Sequence, residues 1–352
     1  MTGQVAFLFP GQGSQAVGMG ADIYAQSPAA RRVFDSVDEA LGFSLSTLCF
    51  QGPEETLRET INTQPAIVTD SLALLAALQE RLSPENSSWS YPLIPTFTAG
   101  HSVGEYAALV TSGALDLTEA ARLVRERGRL MHHEGTICQS GMAAVIGLDE
   151  AALQEVCQQA TEQALAAPPP VGASLEVAQS VRHPGEGRVI VANYNAPGQI
   201  VISGEQRALA LAMEMAKARG AKRVIPLVVS AAFHSPVMQP AAEGMAQVVT
   251  SAGIRDAAIP IISNISATPL TGAEAIKNEL PQQIASSVQW VRGIEYMANA
   301  GVSTFIEIGP GQALTGMVKR IVKGVTTLNI GNAAELEKVA GLVREMGLVR
   351  DV

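Results

Sequence analysis

Cysteine is nearly missing from this sequence: its 352 residues include three, Cys49, Cys138 and Cys157. An odd, widely spaced set builds neither a disulfide framework nor a thiolate metal site, so reduced thiols are expected. Charge is also sparse at 16% of residues, and its sign is unbalanced. Lys and Arg number 24 against 33 Asp and Glu, a net charge of -9. General nucleic-acid binding, which needs a basic field, is excluded on that ground. No apolar run reaches membrane-spanning length before a charge or turn residue interrupts it. The opening Met1-Thr2-Gly3-Gln4-Val5 lacks the basic and apolar regions of a signal peptide. A cytoplasmic protein that avoids membranes is therefore expected. What is plentiful is apolar surface: 47% of residues are hydrophobic, enough for a sizeable core in one large domain or two modest ones.

Punctuation by Gly and Pro divides the chain. Val5–Phe9 reads as a buried strand stopped by Pro10-Gly11-Gln12-Gly13. Helical spacing runs over 69–82, and 84–95 is a turn-rich loop. A strand over 94–99 ends at Gly100-His101-Ser102-Val103-Gly104, and helices are expected over 105–112 and 118–133, with Thr118 as N-cap. The middle changes rhythm: strand 142–148, helix 149–166, a Pro/Gly-rich loop over 168–187, strands 188–193 and 199–203, helix 205–219 and strand 221–229. That β-α-β-β-α-β order is ferredoxin-like. Beyond it come helix 236–252, strand 259–263, a helix over 281–300 broken near Val288, strand 304–308 and helix 314–322. Strands alternating with helices at both ends predict an α/β fold with a mostly parallel sheet, α/β-hydrolase-like. The division expected is a large domain of residues 1–136 and 236–352, with residues 137–235 inserted as a small one.

Gly100-His101-Ser102-Val103-Gly104 fits G-x-S-x-G, with a strand before it and a helix after it. A serine on such a sharp turn is exposed to attack a substrate, and the following helix offers free N–H groups to an oxyanion. A turn serine would need no such flanks. The nucleophile needs a base, and there are five histidines. His101 adjoins the serine and points elsewhere, His183 lies in the Pro/Gly-rich loop, and His132 and His133 end a helix. His234 follows the last strand of the inserted section, where it can face a cleft or simply satisfy a loop. No carboxylate between Ser102 and His234 sits in an obvious strand-end loop. A backbone carbonyl can take the orienting role, making a dyad in place of a triad.

These residues resemble the malonyl-CoA:acyl carrier protein transacylases and the acyltransferase domains of polyketide synthases. The matching motifs are Phe9-Pro10-Gly11-Gln12-Gly13-Ser14-Gln15, Gly100-His101-Ser102-Val103-Gly104-Glu105-Tyr106 and Arg127-Gly128. They continue with Asn193-Tyr194-Asn195-Ala196-Pro197-Gly198-Gln199, Phe233-His234-Ser235, Val288-Gln289-Trp290 and Glu307-Ile308-Gly309-Pro310-Gly311. They fall in the family's order across nearly the whole chain. The resemblance implies Ser102 as nucleophile and His234 as the base that later acts as acid. It implies the Gln289 backbone carbonyl as orienter of His234, and the Gln12 and Val103 N–H groups as the oxyanion hole. Arg127 is implied as the ligand of the malonyl carboxylate; spacing alone does not choose it from Arg122, Arg125 and Arg129 on the same helix. A planar guanidinium suits a carboxylate because it can donate two parallel hydrogen bonds. Gln12, Phe233 and Asn195 are implied at the substrate, with the Phe233 ring leaving little room for a methyl branch.

The reaction implied is ping-pong transfer of malonyl from malonyl-CoA to the phosphopantetheine thiol of acyl carrier protein, through a malonyl ester on Ser102. It supplies fatty acid synthesis, with no metal or redox cofactor and a monomer as the expected state. A carrier in polyketide synthesis would receive the group by the same chemistry. A serine esterase or thioesterase on the same elbow predicts net hydrolysis and little dependence on Arg127. An idle carrier-binding module predicts a Ser102→Ala protein that behaves like the parent. Two basic clusters are candidate carrier docking patches, Lys217/Arg219/Lys222/Arg223 and Lys319/Arg320/Lys323, though either is equally a solvated helix face. The 84–95 and 168–187 segments look like insertions and read as surface loops.

Overall fold

The computed structural model describes residues 4–83, 92–166 and 183–349. Most of both expected insertions, residues 84–91 and 167–182, lies outside them. Among the described residues there are ten strands: β1 Gln4–Phe9, β2 Phe97–Gly100, β3 Ser140–Ile146, β4 Val189–Ala196, β5 Gln199–Glu205, β6 Arg223–Pro226, β7 Ile261–Ile262, β8 Pro269–Leu270, β9 Val302–Ile308 and β10 Thr326–Ile330. They form two sheets. One has six strands in the order β10-β9-β1-β2-β7-β8, parallel except at β8. Helices cover it, and β1 is buried from Val5 to Phe9, as a parallel strand packed on both faces must be.

The other sheet is antiparallel, in the order β4-β5-β3-β6. Its two helices, Glu150–Ala166 and Gln206–Ala218, complete the β-α-β-β-α-β sequence. Counted within this section the strand order is 2-3-1-4, the ferredoxin-like arrangement. Asp149 Oδ1 accepts the Ala152 N–H at 2.8 Å, and the Glu205 carboxylate caps the second helix. The section has its own hydrophobic core, built on Val145, Val156, Ile202 and Ala212. Strand 221–229 is shorter than expected: only Arg223–Pro226 pairs, and Leu227–Val229 continues as irregular chain.

Two helix starts differ from expectation, both because a proline lies inside the helix. The helix expected over 69–82 runs Thr60–Leu82 and contains Pro65. Proline blocks the bond to the carbonyl four residues back. Here that carbonyl, Ile61 O, is taken by Arg125 Nη1 at 2.9 Å. The helix expected to begin at Pro281 runs Ala273–Ala285. A second helix, Trp290–Asn299, follows the expected break. Asp116, not Thr118, precedes the Leu117–Ile137 helix, and its carboxylate pairs with Arg255 at 2.7 Å. The short helices between 21 and 58, and the terminal β10 with helix Ala333–Glu345, were not anticipated.

One buried group stands out against this packing. Asp70, in the Thr60–Leu82 helix, is fully buried, and neither carboxylate oxygen has a hydrogen-bond partner. Burial, with a smaller push from Asp22, raises its pKa from 3.8 to about 8. The folded state therefore holds a proton that the unfolded chain releases above pH 4. Stability should fall as pH rises from about 4 to about 8. Asp70→Ala is expected to raise the urea midpoint more at pH 8 than at pH 5. An equal shift at the two pH values would contradict this assignment.

Candidate active site

The chain turns sharply after β2. Ser102 takes φ 52°, a left-handed conformation that costs a side-chain-bearing residue free energy. Glycine is required on both sides of it. A Cβ on Gly100 would lie 1.9 Å from the Gly104 carbonyl carbon, and one on Gly104 would lie 2.3 Å from the Phe9 carbonyl oxygen. The helix Gly104–Thr111 begins directly after the turn. Among the described residues the Val103 and Gln12 N–H groups find no acceptor. Both residues line the cavity that holds Ser102.

Asn264 fastens this turn. Its Oδ1 accepts the Ser102 N–H at 2.9 Å, and its Nδ2 donates to Gly100 O at 2.8 Å and Glu105 Oε2 at 3.0 Å. Sequence reasoning missed Asn264. Its signal is positional: a polar residue two positions after β7, at the carboxyl edge of a parallel sheet, where such folds place their sites.

His234 lies against the serine, with its Nε2 2.7 Å from Ser102 Oγ. It too has a positive φ, 57°. Its Nδ1 faces two carbonyl oxygens, Gln283 O at 2.8 Å and Ser286 O at 3.1 Å, and its backbone N–H donates to Ile284 O. These are carbonyls at the C-terminal end of the Ala273–Ala285 helix, where a helix has no internal donors left for them. This corrects the expectation for Gln289. The Gln289 N–H donates to Asn264 O, and Val288 pairs with β4 through Ala192 and Tyr194, so that motif docks the two sheets. The orienting carbonyls come from six and three residues earlier.

Arg127 is 1% exposed, and its guanidinium reaches the same point. Nη2 lies 3.3 Å from Ser102 Oγ and donates to Gln283 Oε1 at 2.7 Å; Nη1 donates to Gln64 Oε1 at 2.6 Å. Its Nε has no partner. Arg122 and Arg129 are on the outside of this helix and Arg125 bonds Ile61, so Arg127 alone of the four enters the cavity. No carboxylate among the described residues pairs directly with it, and burial lowers its pKa against the pull of Tyr106 and Glu105. A buried cation whose partners are neutral amide oxygens is left open to an anion.

Gln283 was also missed. Besides its carbonyl on His234 and its Oε1 on Arg127, its Nε2 donates to Ser102 O at 2.9 Å and to Glu105 Oε2. Glu105 is buried, and burial, then the nearby Glu279, raises its pKa well above the carboxylate range. The remaining expected residues surround this centre. Gln12 Oε1 accepts from the Thr60 hydroxyl at 2.6 Å. Asn195 Oδ1 holds His101 Nε2 at 2.8 Å, and the His101 ring packs on Trp290. Phe233 is buried on the cavity wall, its carbonyl bonded by Ser203. The cavity is ≈ 560 Å³, within the usual range for small-molecule sites.

A serine bonded to a histidine, beside a buried arginine, suits transfer of an acyl group that carries its own anion. An acyl transferase domain model matches residues 6–171 and 132–346. The chain belongs to the acyl transferase family. It is 42% identical to the malonyl CoA-acyl carrier protein transacylase of Bacillus subtilis over 343 residues, 97% of this chain and 98% of that one. The acyl-carrier-protein-S-malonyltransferase of Bartonella henselae superposes with a TM-score of 0.84 at 39% identity, covering 98% and 99% of the two chains. A malonyl-transacylase solved with a type II PKS acyl-carrier protein gives a TM-score of 0.83 at 34% identity, over 96% and 99%. As a family member the protein is an acyltransferase with an α/β fold, the class expected from the sequence.

Burial, and next the Arg127 charge, lower the His234 pKa from 6.5 to about 3. The imidazole therefore stays neutral, and able to take the serine proton, well below pH 6.5. The acid limb of kcat/KM for acyl loading is expected below pH 5. A limb near pH 6.5 would contradict the site's electrostatics.

Proposed function

We propose that this protein transfers malonyl from malonyl-CoA to the phosphopantetheine thiol of acyl carrier protein, supplying fatty acid synthesis. The observation that carries the reading is the Arg127 guanidinium, buried and free of carboxylates, with Nη2 3.3 Å from Ser102 Oγ. An acyl group bound through Ser102 and carrying a free carboxylate brings that carboxylate to the arginine. An acetyl group leaves the buried cation without an anion and should load poorly.

His234 takes the Ser102 proton as Oγ attacks the malonyl thioester carbon. The oxyanion is received by the Gln12 and Val103 N–H groups. The C–S bond breaks, His234 returns its proton to the CoA thiolate, and malonyl remains as an ester on Ser102. The carrier thiol then enters, gives its proton to His234, attacks the ester, and Ser102 recovers the proton. Imidazolium forms in each half-reaction. It is favoured by the two carbonyls on Nδ1, and the malonyl carboxylate offsets the Arg127 charge that opposes it. Phe233 closes the wall against a methyl branch. No metal or redox cofactor is needed, and the reading takes the protein as a cytoplasmic monomer. Residues 1–136 with 236–352 would act as the catalytic domain, and 137–235 as the inserted one that closes the cavity.

Of the two basic clusters, Lys217 pairs with Glu214, Arg219 with Glu155, and Arg320 bonds the β4–β5 turn. Lys222 and Arg223 in one cluster, and Lys319 and Lys323 in the other, have no carboxylate partner among the described residues and are left as the freer cations for an acidic carrier.

Intact mass spectrometry after incubation with malonyl-CoA tests the reading. A malonyl increment should appear on the parent, leave on addition of holo carrier protein, and be absent from Ser102→Ala. Arg127→Ala should lose malonyl loading by roughly 10²- to 10³-fold, the scale for removing one partner of a buried charge pair. An increment that persists on Ser102→Ala, or loading indifferent to Arg127, would reject it.

A further inference from the structure

We propose that Glu105 is a positioning residue. Its Oε2, by accepting from both Asn264 Nδ2 and Gln283 Nε2, locks the Arg127 clamp to the serine turn and so sets the preference for an acyl group with a carboxylate. This rests on the malonyl-transfer reading. Glu105 acts through its neighbours, for it is not among the residues that line the cavity.

Glu105 stands in the first turn of the Gly104–Thr111 helix, just after the nucleophile, and is buried. Its backbone N–H donates to Ser102 O at 3.1 Å. The same carbonyl accepts from Gln283 Nε2 at 2.9 Å. That nitrogen also donates to Glu105 Oε2, which closes a ring through Ser102, Gln283 and Glu105. Asn264 Nδ2 donates to Oε2 at 3.0 Å and to Gly100 O at 2.8 Å. A primary amide has two N–H donors, so all the donors of both amides have acceptors, and one oxygen of Glu105 serves each amide once. Burial holds the Glu105 pKa well above the carboxylate range. Oε2 still accepts in either protonation state when the proton sits on Oε1.

The two amides do different work. Asn264 Oδ1 holds the Ser102 N–H, which every acyl group requires. Gln283 Oε1 holds Arg127 Nη2, which serves only an acyl group with its own anion. They also differ in how far they depend on Glu105. Asn264 is braced on its backbone: its carbonyl accepts the Gln289 N–H at 2.8 Å, and Glu279 Oε1 takes the Ser263 hydroxyl at 2.6 Å and the Ile265 N–H at 3.1 Å. The Gln283 side chain is one rotatable bond longer and reaches across from a helix end. A buried amide hydrogen without an acceptor is destabilising, so a Gln283 deprived of Oε2 turns to find another and carries its Oε1 off Arg127. Besides the serine hydroxyl, the guanidinium then keeps Gln64 Oε1 alone.

Two substitutions separate the position of the oxygen from the acid. Glu105→Gln removes the acid and keeps an oxygen within reach of both amides. Glu105→Asp keeps the acid and draws the oxygen back by one methylene. Acylation of Ser102 by malonyl-CoA and by acetyl-CoA is followed by intact mass, giving a malonyl-to-acetyl ratio of kcat/KM for each protein. Glu105→Gln should keep most of the parent ratio. Glu105→Asp should lower it by about tenfold or more, the scale of one buried donor left without its acceptor, with the loss in malonyl loading and little change in acetyl loading. Glu105→Met, which fills the space without an oxygen, should show the same fall and decides the matter if the aspartate variant does not fold. A ratio that falls as far in Glu105→Gln assigns the effect to the acid and overturns the proposal. So does an unchanged ratio in Glu105→Asp and Glu105→Met, even where both acyl groups slow together, which is the mark of a merely structural residue. A parent without a malonyl preference overturns the malonyl reading and the role of Glu105 with it.

Discussion

Gln283 joins the three groups on which the proposed chemistry depends. Its carbonyl oxygen accepts from His234 Nδ1, its side-chain oxygen accepts from Arg127 Nη2, and its side-chain nitrogen donates to Ser102 O and Glu105. One residue at the end of one helix thereby fixes His234, Arg127 and the Ser102 backbone relative to one another. A second amide, Asn264, does the same for the turn itself, spanning Gly100, Ser102 and Glu105. Their partners are buried, and a buried polar group that loses its partner costs about 1–3 kcal/mol. The network is therefore held together by the penalty for leaving any member unsatisfied, more than by the net strength of each bond.

That rigidity has a use. Ser102 and His234 both occupy left-handed backbone conformations, each a strain of about 1–3 kcal/mol for a residue with a side chain. Without Asn264 on one side and Gln283, Ile284 and Ser286 on the other, the turn and the histidine would relax and their contact would open. The same dry surroundings keep His234 neutral and Arg127 short of an anion. The site as it stands is short of one negative charge, which fits a substrate that brings a carboxylate.

Much of this was legible in the sequence because it rests on local rules. Gly100 and Gly104 flank the serine because no Cβ fits at either place, and that is visible as G-x-S-x-G. The ferredoxin-like section showed in the alternation of its strands and helices and in the Pro197-Gly198 turn. Ser102, His234 and Arg127, which the family resemblance singled out, come together in one cavity. What stayed hidden depends on contacts between distant segments. Gln283 lies in the last turn of a helix expected to start at Pro281 that runs Ala273–Ala285, and its end at Ala285 is what turns the Gln283 and Ser286 carbonyls toward His234. Gln289 carries the recognisable motif, but its carbonyl accepts from the Gly293 N–H and its own N–H donates to Asn264 O. Pro65 likewise concealed the first turns of a helix, because Arg125, sixty residues away, satisfies the carbonyl it frees. Asn264 follows a two-residue strand too short to announce itself.

The claim that Gln283 couples the clamp to the nucleophile is tested most directly by a double-mutant cycle. Loading of malonyl from malonyl-CoA would be measured for the parent, Gln283→Ala, Arg127→Ala and the double variant. If the Gln283 side chain acts by holding Arg127 against Ser102, the loss in the double variant should fall short of the sum of the single losses by more than 1 kcal/mol in transition-state free energy. Losses that add to within about 0.5 kcal/mol, as for independent sites, would contradict the account.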